Sequence, residues 1–227
     1  MAITIDNTDI STYGAAVLTF EPGMPEIANT YLHDVSMRSV RQIRLIGEIG
    51  LREIRLEFEV NGSSELDTVT RLSNLCAALR DGSELDVGDG FGYYYTLNSL
   101  GKAERIYSNL YKFTAVLVGY RHGGTQTATY TRSGNLLVVG NYNAPAIFRF
   151  TKTGGTTFTV NGMTYTGTAG AEDAVTIDGY ARTVMQNGAN VFGRMNMTAF
   201  PLLTPGANAI TISGTGSVVV EYQPIYM

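Results

Sequence analysis

The residues able to do chemistry are few: two histidines, His33 and His122, one cysteine, Cys76, and the carboxylates Glu84, Asp86 and Asp89. Neither histidine has a cysteine, a second histidine or a carboxylate at metal-ligand spacing. His122 precedes Gly123-Gly124, which predicts a loop, and both histidines are expected at the surface or partly buried. The three carboxylates stand among Gly82, Gly88 and Gly90, but without the alternate Asp/Asn positions and closing Glu of a calcium loop, so a solvated turn is predicted. The run Gly88-Asp89-Gly90-Phe91-Gly92 has neither the G-x-G-x-x-G spacing nor the Lys-Ser/Thr of a phosphate loop. No G-x-S-x-G elbow occurs. A lone cysteine cannot form an internal disulfide, and Cys76 falls in an apolar helical pattern that reads as core. The expectation is no catalytic residue, no metal ligand, no cofactor site, and no enzyme.

Aromatic and apolar residues outside clear core patterns are the remaining candidates, and they point to contacts rather than catalysis. Tyr93, Tyr94 and Tyr95 are consecutive. In a strand they alternate between core and solvent, so one or two belong to the core and the remainder could meet a partner or stack on a sugar. The stretch from Glu21 to Asn29 contains Pro22, Gly23 and Pro25 and reads as a loop or extended arm. Continued to Val35 it carries Met24, Ile27, Tyr31 and Leu32, which are the candidate arm contacts.

The elements that hold these residues follow from periodicity. In Arg52 to Val60, Ile54, Leu56, Phe58 and Val60 alternate with charged residues, a half-buried strand. Lys112 to Tyr120 is almost continuously apolar and fits a central strand. One helix is predicted over about 64–81. Ser64 and Asp67 have capping-box spacing, Leu66, Val69, Leu72, Leu75, Cys76 and Leu79 form one stripe, and Asp81-Gly82 closes it. Further on the text is almost all β. Asn161-Gly162 between Thr157–Val160 and Met163–Thr166 is a strong hairpin signal, because Asn-Gly takes the positive φ angles of a type I′ turn. Short strands with glycine turns continue to Tyr222, which predicts a sandwich or jelly roll.

Composition divides the chain of 227 residues in two. Residues 1–133 carry 12 Lys/Arg and 16 Asp/Glu, whereas residues 134–227 carry 4 and 4 and half of the 26 glycines. A boundary is predicted near Thr131–Asn135, giving domains 1–133 and 134–227. The net charge of −4 argues against a nucleic-acid grip and against binding to an anionic membrane. The opening residues lack a basic stretch followed by a long apolar run, and no apolar run approaches a membrane span, so synthesis and folding in a cytoplasm are expected, without membrane insertion.

The last third carries Ile177-Asp178-Gly179, Val184-Met185-Gln186-Asn187-Gly188-Ala189-Asn190, the run Phe200-Pro201-Leu202-Leu203-Thr204-Pro205-Gly206-Ala207-Asn208-Ala209-Ile210, and Gly216-Ser217-Val218-Val219-Val220-Glu221-Tyr222. This text resembles the C-terminal domain of siphophage distal tail proteins. The opening residues Ile5, Asp6, Asp9, Ile10, Tyr13 and Gly14, with paired strands and one helix after them, are similar to that family's N-terminal domain. The resemblance implies a mainly β protein with an N-terminal β-sandwich or split-barrel-like domain bearing one helix and a C-terminal galectin-like jelly-roll sandwich. It implies a homohexameric ring at the virion tail tip, around a channel that DNA crosses without specific binding. The partners it implies are further copies of the chain, the tail tube protein, the tail-tip or tail-associated protein, the tape measure and receptor-binding proteins. A carbohydrate- or receptor-binding module acting through the second domain is the alternative; residues 134–227 contain neither Trp nor His, which weighs against a sugar site.

Overall fold

The computed structural model describes residues 3–32, 43–167 and 174–227, and divides into one compact unit ending at His122 and another spanning Gly123–Tyr226.

The first unit is one antiparallel sheet with a helix on one face. In order across it run Thr8–Asp9, Thr4–Ile5, Glu84–Asp86, Gly92–Leu100, Leu110–His122, Ile43–Asn61 and Ala15–Leu32. Glu104–Tyr107 pairs back onto Leu110–His122. The alternation in 54–60 works as expected: Ile54, Leu56, Phe58 and Val60 are wholly buried. In register they meet Leu117, Ala115, Phe113 and Tyr111 of the next strand, with Phe58 stacked on Phe113 at 5.2 Å. The strand Leu110–His122 is central in the sheet, but its residues alternate in burial. Phe113, Ala115 and Leu117 face the core, while Thr114, Val116, Val118 and Tyr120 are half-buried on the other side.

Helix Glu65–Asp81 supplies Leu75 and Leu79 to that core, with Leu72 and Cys76 partly buried beside them. Two of the predicted stripe residues do not belong to it: Leu66 is 78% exposed and Val69 is also exposed. The stripe therefore starts a turn later than its spacing suggests. The N-cap is Ser64, whose Oγ accepts from the Asp67 N–H at 3.2 Å. Asp67 reaches back one residue further than a capping box requires, accepting from the N–H of Ser63 at 2.7 Å and from its hydroxyl at 2.9 Å. Gly82 closes the helix in an extended conformation, φ −75° and ψ 160°, not a left-handed one. Space rather than backbone freedom selects the glycine, because a Cβ there would lie 2.4 Å from the Tyr95 hydroxyl oxygen and 2.6 Å from the Ala78 carbonyl.

The second unit packs two antiparallel sheets. One runs Ala189–Asn190, Thr183–Gln186, Val175–Asp178, Ala144–Lys152, Gly216–Tyr222 and Gln126–Tyr130, and the other Met195–Asn196, Met163–Thr166, Thr157–Val160 and Ile212–Ser213. Gly134–Val138 and Gly206–Ile210 pair separately. The predicted hairpin forms, with Asn161 and Gly162 at φ 48° and 77°. Phe150 joins the sheets, stacked on Phe158 at 5.4 Å and edge-on to Tyr165 at 5.9 Å. The buried Tyr165 hydroxyl donates to Gln186 Oε1 at 2.8 Å. The strand Gln126–Tyr130 lies before the expected boundary at 133, yet its register partners are Gly216–Tyr222 residues of the second unit. The compositional shift falls a strand later than this pairing, because Gln126–Tyr130 reads in sequence as polar Thr-rich text that either domain could own.

Candidate assembly surfaces

The candidate arm is a strand, not a loop. Ala15–Leu32 and Ile43–Asn61 pair antiparallel as far as Leu32 opposite Ile43. Pro22 and Pro25 are accommodated at register shifts, where a missing N–H removes little from the ladder. Only the inner part of Ile43–Asn61, from Arg52 to Asn61, has a second neighbour in Leu110–His122. Beyond Pro25 and Arg52 the two strands pair with each other alone, among the described residues. The result is a two-stranded ribbon extending past the sheet, containing Ile27, Tyr31, Leu32, Ile43, Leu45, Ile46 and Ile49 in its sequence. Met24, at its root, is 88% exposed. Residues 33–35 of the expected arm, including His33, lie outside the described residues.

The three tyrosines divide by face. Tyr93 is fully buried, packs edge-on against Phe20 at 5.4 Å, and donates to Asp89 Oδ2 at 2.8 Å. Burial, then the Asp89 hydrogen bond, pushes its phenol up to about 12. Tyr95 is buried, and burial likewise raises its phenol. Tyr94 points to the opposite face, where it stacks on His122 at 4.3 Å and tilts against Tyr120 at 5.6 Å. Of the trio, only Tyr94 is placed where a partner could meet it.

His122 is not in a loop. It ends the strand Leu110–His122, is 3% exposed, and has Nε2 3.2 Å from Glu84 Oε1. The Asp86 and Asp89 carboxylates turn the chain, accepting from the Gly88 N–H at 2.7 Å and the Phe91 N–H at 3.0 Å. Among the described residues no group of three His, Cys, Asp or Glu is placed to hold a metal ion. The thiol of Cys76 is raised by burial, away from the thiolate form that would make it reactive.

Several exposed apolar residues could not be found from pattern alone. Leu66 and Val69 stand on the outer side of the helix start, and Ile106 and Tyr107 lie on the strand whose Arg105 pairs with Glu65 at 2.9 Å. In the second unit Leu137 and Leu202 are exposed, and a shallow cavity of about 230 Å³ opens between Phe148, Met163, Phe200 and Leu203. The residues of the C-terminal text are structural. Gly206 has φ 95°, and Asn208 ties its turn by accepting from the Thr204 N–H at 3.0 Å while its amide donates to the Thr204 and Gly206 carbonyls. Ile210, Val218, Val220 and Tyr222 enter the core.

Residues 139–226 match the family described as siphovirus-type tail component, C-terminal domain. Among solved structures, the Dit protein of phage SPP1, described as a paradigm of hub adsorption apparatus in phages infecting Gram-positive bacteria, aligns with TM-score 0.76 and 13% identity, covering 100% of this chain and 99% of that one. Chains of the phage P2 baseplate in its activated conformation, with calcium and with strontium, align at TM-scores of 0.59 and 0.57, both at 9% identity. They cover 98% and 96% of this chain and 96% of each of theirs. No curated protein matches in sequence. Residues 139–226 are thus similar to the C-terminal domain of siphovirus-type tail components, and the fold of the whole chain is shared with these phage hub and baseplate proteins.

Proposed function

We propose that the chain forms a homohexameric ring at the distal end of a long non-contractile tail, joining the tube to the tip or baseplate and to host-recognition proteins around a channel for DNA. It would be made and assembled in the host cytoplasm and finish at the virion tail tip. In this reading the unit ending at His122 builds the ring, and the unit Gly123–Tyr226 offers an outer surface to further tail proteins. The observation that carries the proposal is the end-to-end likeness to a hub protein at TM-score 0.76.

The ribbon supplies a physical reason for self-assembly. An isolated two-stranded hairpin is marginal in water and needs a third strand or a packed face to persist. Its apolar residues include the proposed contacts Ile27, Tyr31 and Leu32, and Met24 stands exposed at its root. The ribbon is taken to embrace a neighbouring copy, with Tyr94 a further candidate contact. The test replaces residues 26–51 by Asn-Gly, linking the paired Pro25 and Arg52. Light scattering should show a six-copy assembly for the intact chain and monomers for the variant. An unchanged assembly in the variant would remove the ribbon from the interface, and an intact chain that stays monomeric would remove the ring.

A further inference from the structure

The second unit packs a complete core, so the surface it leaves unfinished is at its strand edges. An edge invites a further strand unless shortness, proline, charge or a covering group blocks it. The outer strands Ala189–Asn190, Met195–Asn196 and Ile212–Ser213 are two residues long. In Gly134–Val138 the Asn135 carbonyl accepts from the Tyr130 hydroxyl at 3.1 Å, and the Leu137 carbonyl from the Tyr222 hydroxyl at 3.4 Å. Gln126–Tyr130 ends the larger sheet without any of these devices. Residues 123–131 contain neither a charge nor a proline, and the strand pairs with Gly216–Tyr222 without a register shift.

The hydrogen-bonding phase of the sheet fixes which backbone groups of this strand face outward. The Ala146 N–H donates to the Pro201 carbonyl at 3.2 Å, and the Ala146 carbonyl accepts from the Gly179 N–H at 2.9 Å, so both Ala146 groups turn away from Gly216–Tyr222. The Ala146–Tyr222 pair is therefore non-hydrogen-bonded, and the Tyr222 groups turn to Gln126. Alternation along the strand gives Gln126, Ala128 and Tyr130 to the ladder and leaves Thr127 and Thr129 pointing outward. Among the described residues no other backbone group bonds the N–H and C=O of these two threonines, and both are exposed.

We infer that Gln126–Tyr130 receives an extended, uncharged segment of another tail protein, which adds to the sheet as a further strand through Thr127 and Thr129. The inference rests on the proposal that this unit serves further tail proteins, and it adds where and by what chemistry. Side-chain alternation sets the segment's character. Gln126, Ala128 and Tyr130 share a face with the buried Tyr222, Val220 and Val218, so the incoming residue beside the small Ala128 lies on the core side and is apolar. Its neighbours lie beside the exposed Thr127 and Thr129 and are polar or β-branched. A charged segment would meet no opposite charge in residues 123–131. A second copy fits less well, because identical edges pair antiparallel across a two-fold axis, and neighbours in the proposed ring are not related by one.

The intact chain would be titrated against a fluorescein-labelled peptide, Thr-Gln-Thr-Val-Thr-Tyr-Thr, followed by fluorescence anisotropy. Saturable binding is expected, and it should vanish when the central amide nitrogens of the peptide are methylated. Thr127→Pro with Thr129→Pro removes the two outward N–H groups and spares the ladder with Gly216–Tyr222, so the folded variant should bind at least about tenfold more weakly. If that variant does not fold, the methylated peptide on the unchanged chain still decides. No binding up to about 1 mM, or equal binding of both peptides, overturns the inference. So does equal binding by the folded variant. Light scattering of the variant should show the same number of copies as the intact chain; a smaller number would mean that a second copy fills the edge, and would overturn the inference too. The ring is judged separately. A chain that takes peptide but stays monomeric keeps the edge and loses the ring, while a ring that takes none loses the edge alone.

Discussion

The two domains solve different problems with similar β text. The second closes on itself: Phe148, Phe150, Phe158 and Tyr165 are buried between its sheets, and residues 134–227 carry four Lys/Arg and four Asp/Glu. The first leaves business unfinished. It carries a ribbon with no third strand among the described residues and an exposed Leu66 and Val69 on its helix. Two different antiparallel β architectures, a single sheet under a helix and a pair of packed sheets, thus leave different amounts of surface open. The difference lies in how much surface each domain leaves to others.

If the second domain is the self-sufficient one, its stability depends on its own packing. Phe150→Ala removes the ring that touches both Phe158 and Tyr165, and should cost about 3–5 kcal/mol. Calorimetry of the intact chain should show one transition moving down while the transition of the first domain holds; a single transition that shifts as a whole would break the comparison. Leu79→Ala, at a wholly buried helix position, should cost about 2–5 kcal/mol and move the other transition. In the same domain Leu66→Ser should change stability by less than about 0.5 kcal/mol, since Leu66 is exposed. A large loss there would show that the helix start is packed in the isolated chain.

The sequence made the periodic parts plain and the special backbone parts obscure. Ile54 to Val60 and Asn161-Gly162 were readable because alternation and a type I′ dipeptide leave one physical solution. The ribbon was hidden because Pro22, Gly23 and Pro25 signal a break, and only pairing with a partner strand shows that bulges absorb them. His122 looked like a loop residue because two glycines follow it, although a stacked Tyr94 and a nearby Glu84 hold it in the sheet. Leu66 and Val69 fit the helical stripe by spacing, but periodicity cannot say where along a helix the sheet stops covering it.

The smallest effect belongs to the cap of helix Glu65–Asp81 in the first domain. Asp67 accepts hydrogen bonds from the Ser63 N–H, from Arg71 Nε and from the Ser63 hydroxyl, and these hold its carboxyl down at about 2. The folded state therefore favours the ionised form relative to the unfolded chain, whose Asp titrates near 4. Its contribution is complete above that unfolded value and is lost as pH falls from about 4 toward 2. Asp67→Asn keeps the size but loses the charge. The first domain of this variant should melt lower at neutral pH and converge on the unchanged protein near pH 2, as followed by far-UV circular dichroism of the helix. A constant gap across that range would show that Asp67 acts by packing rather than through its charge.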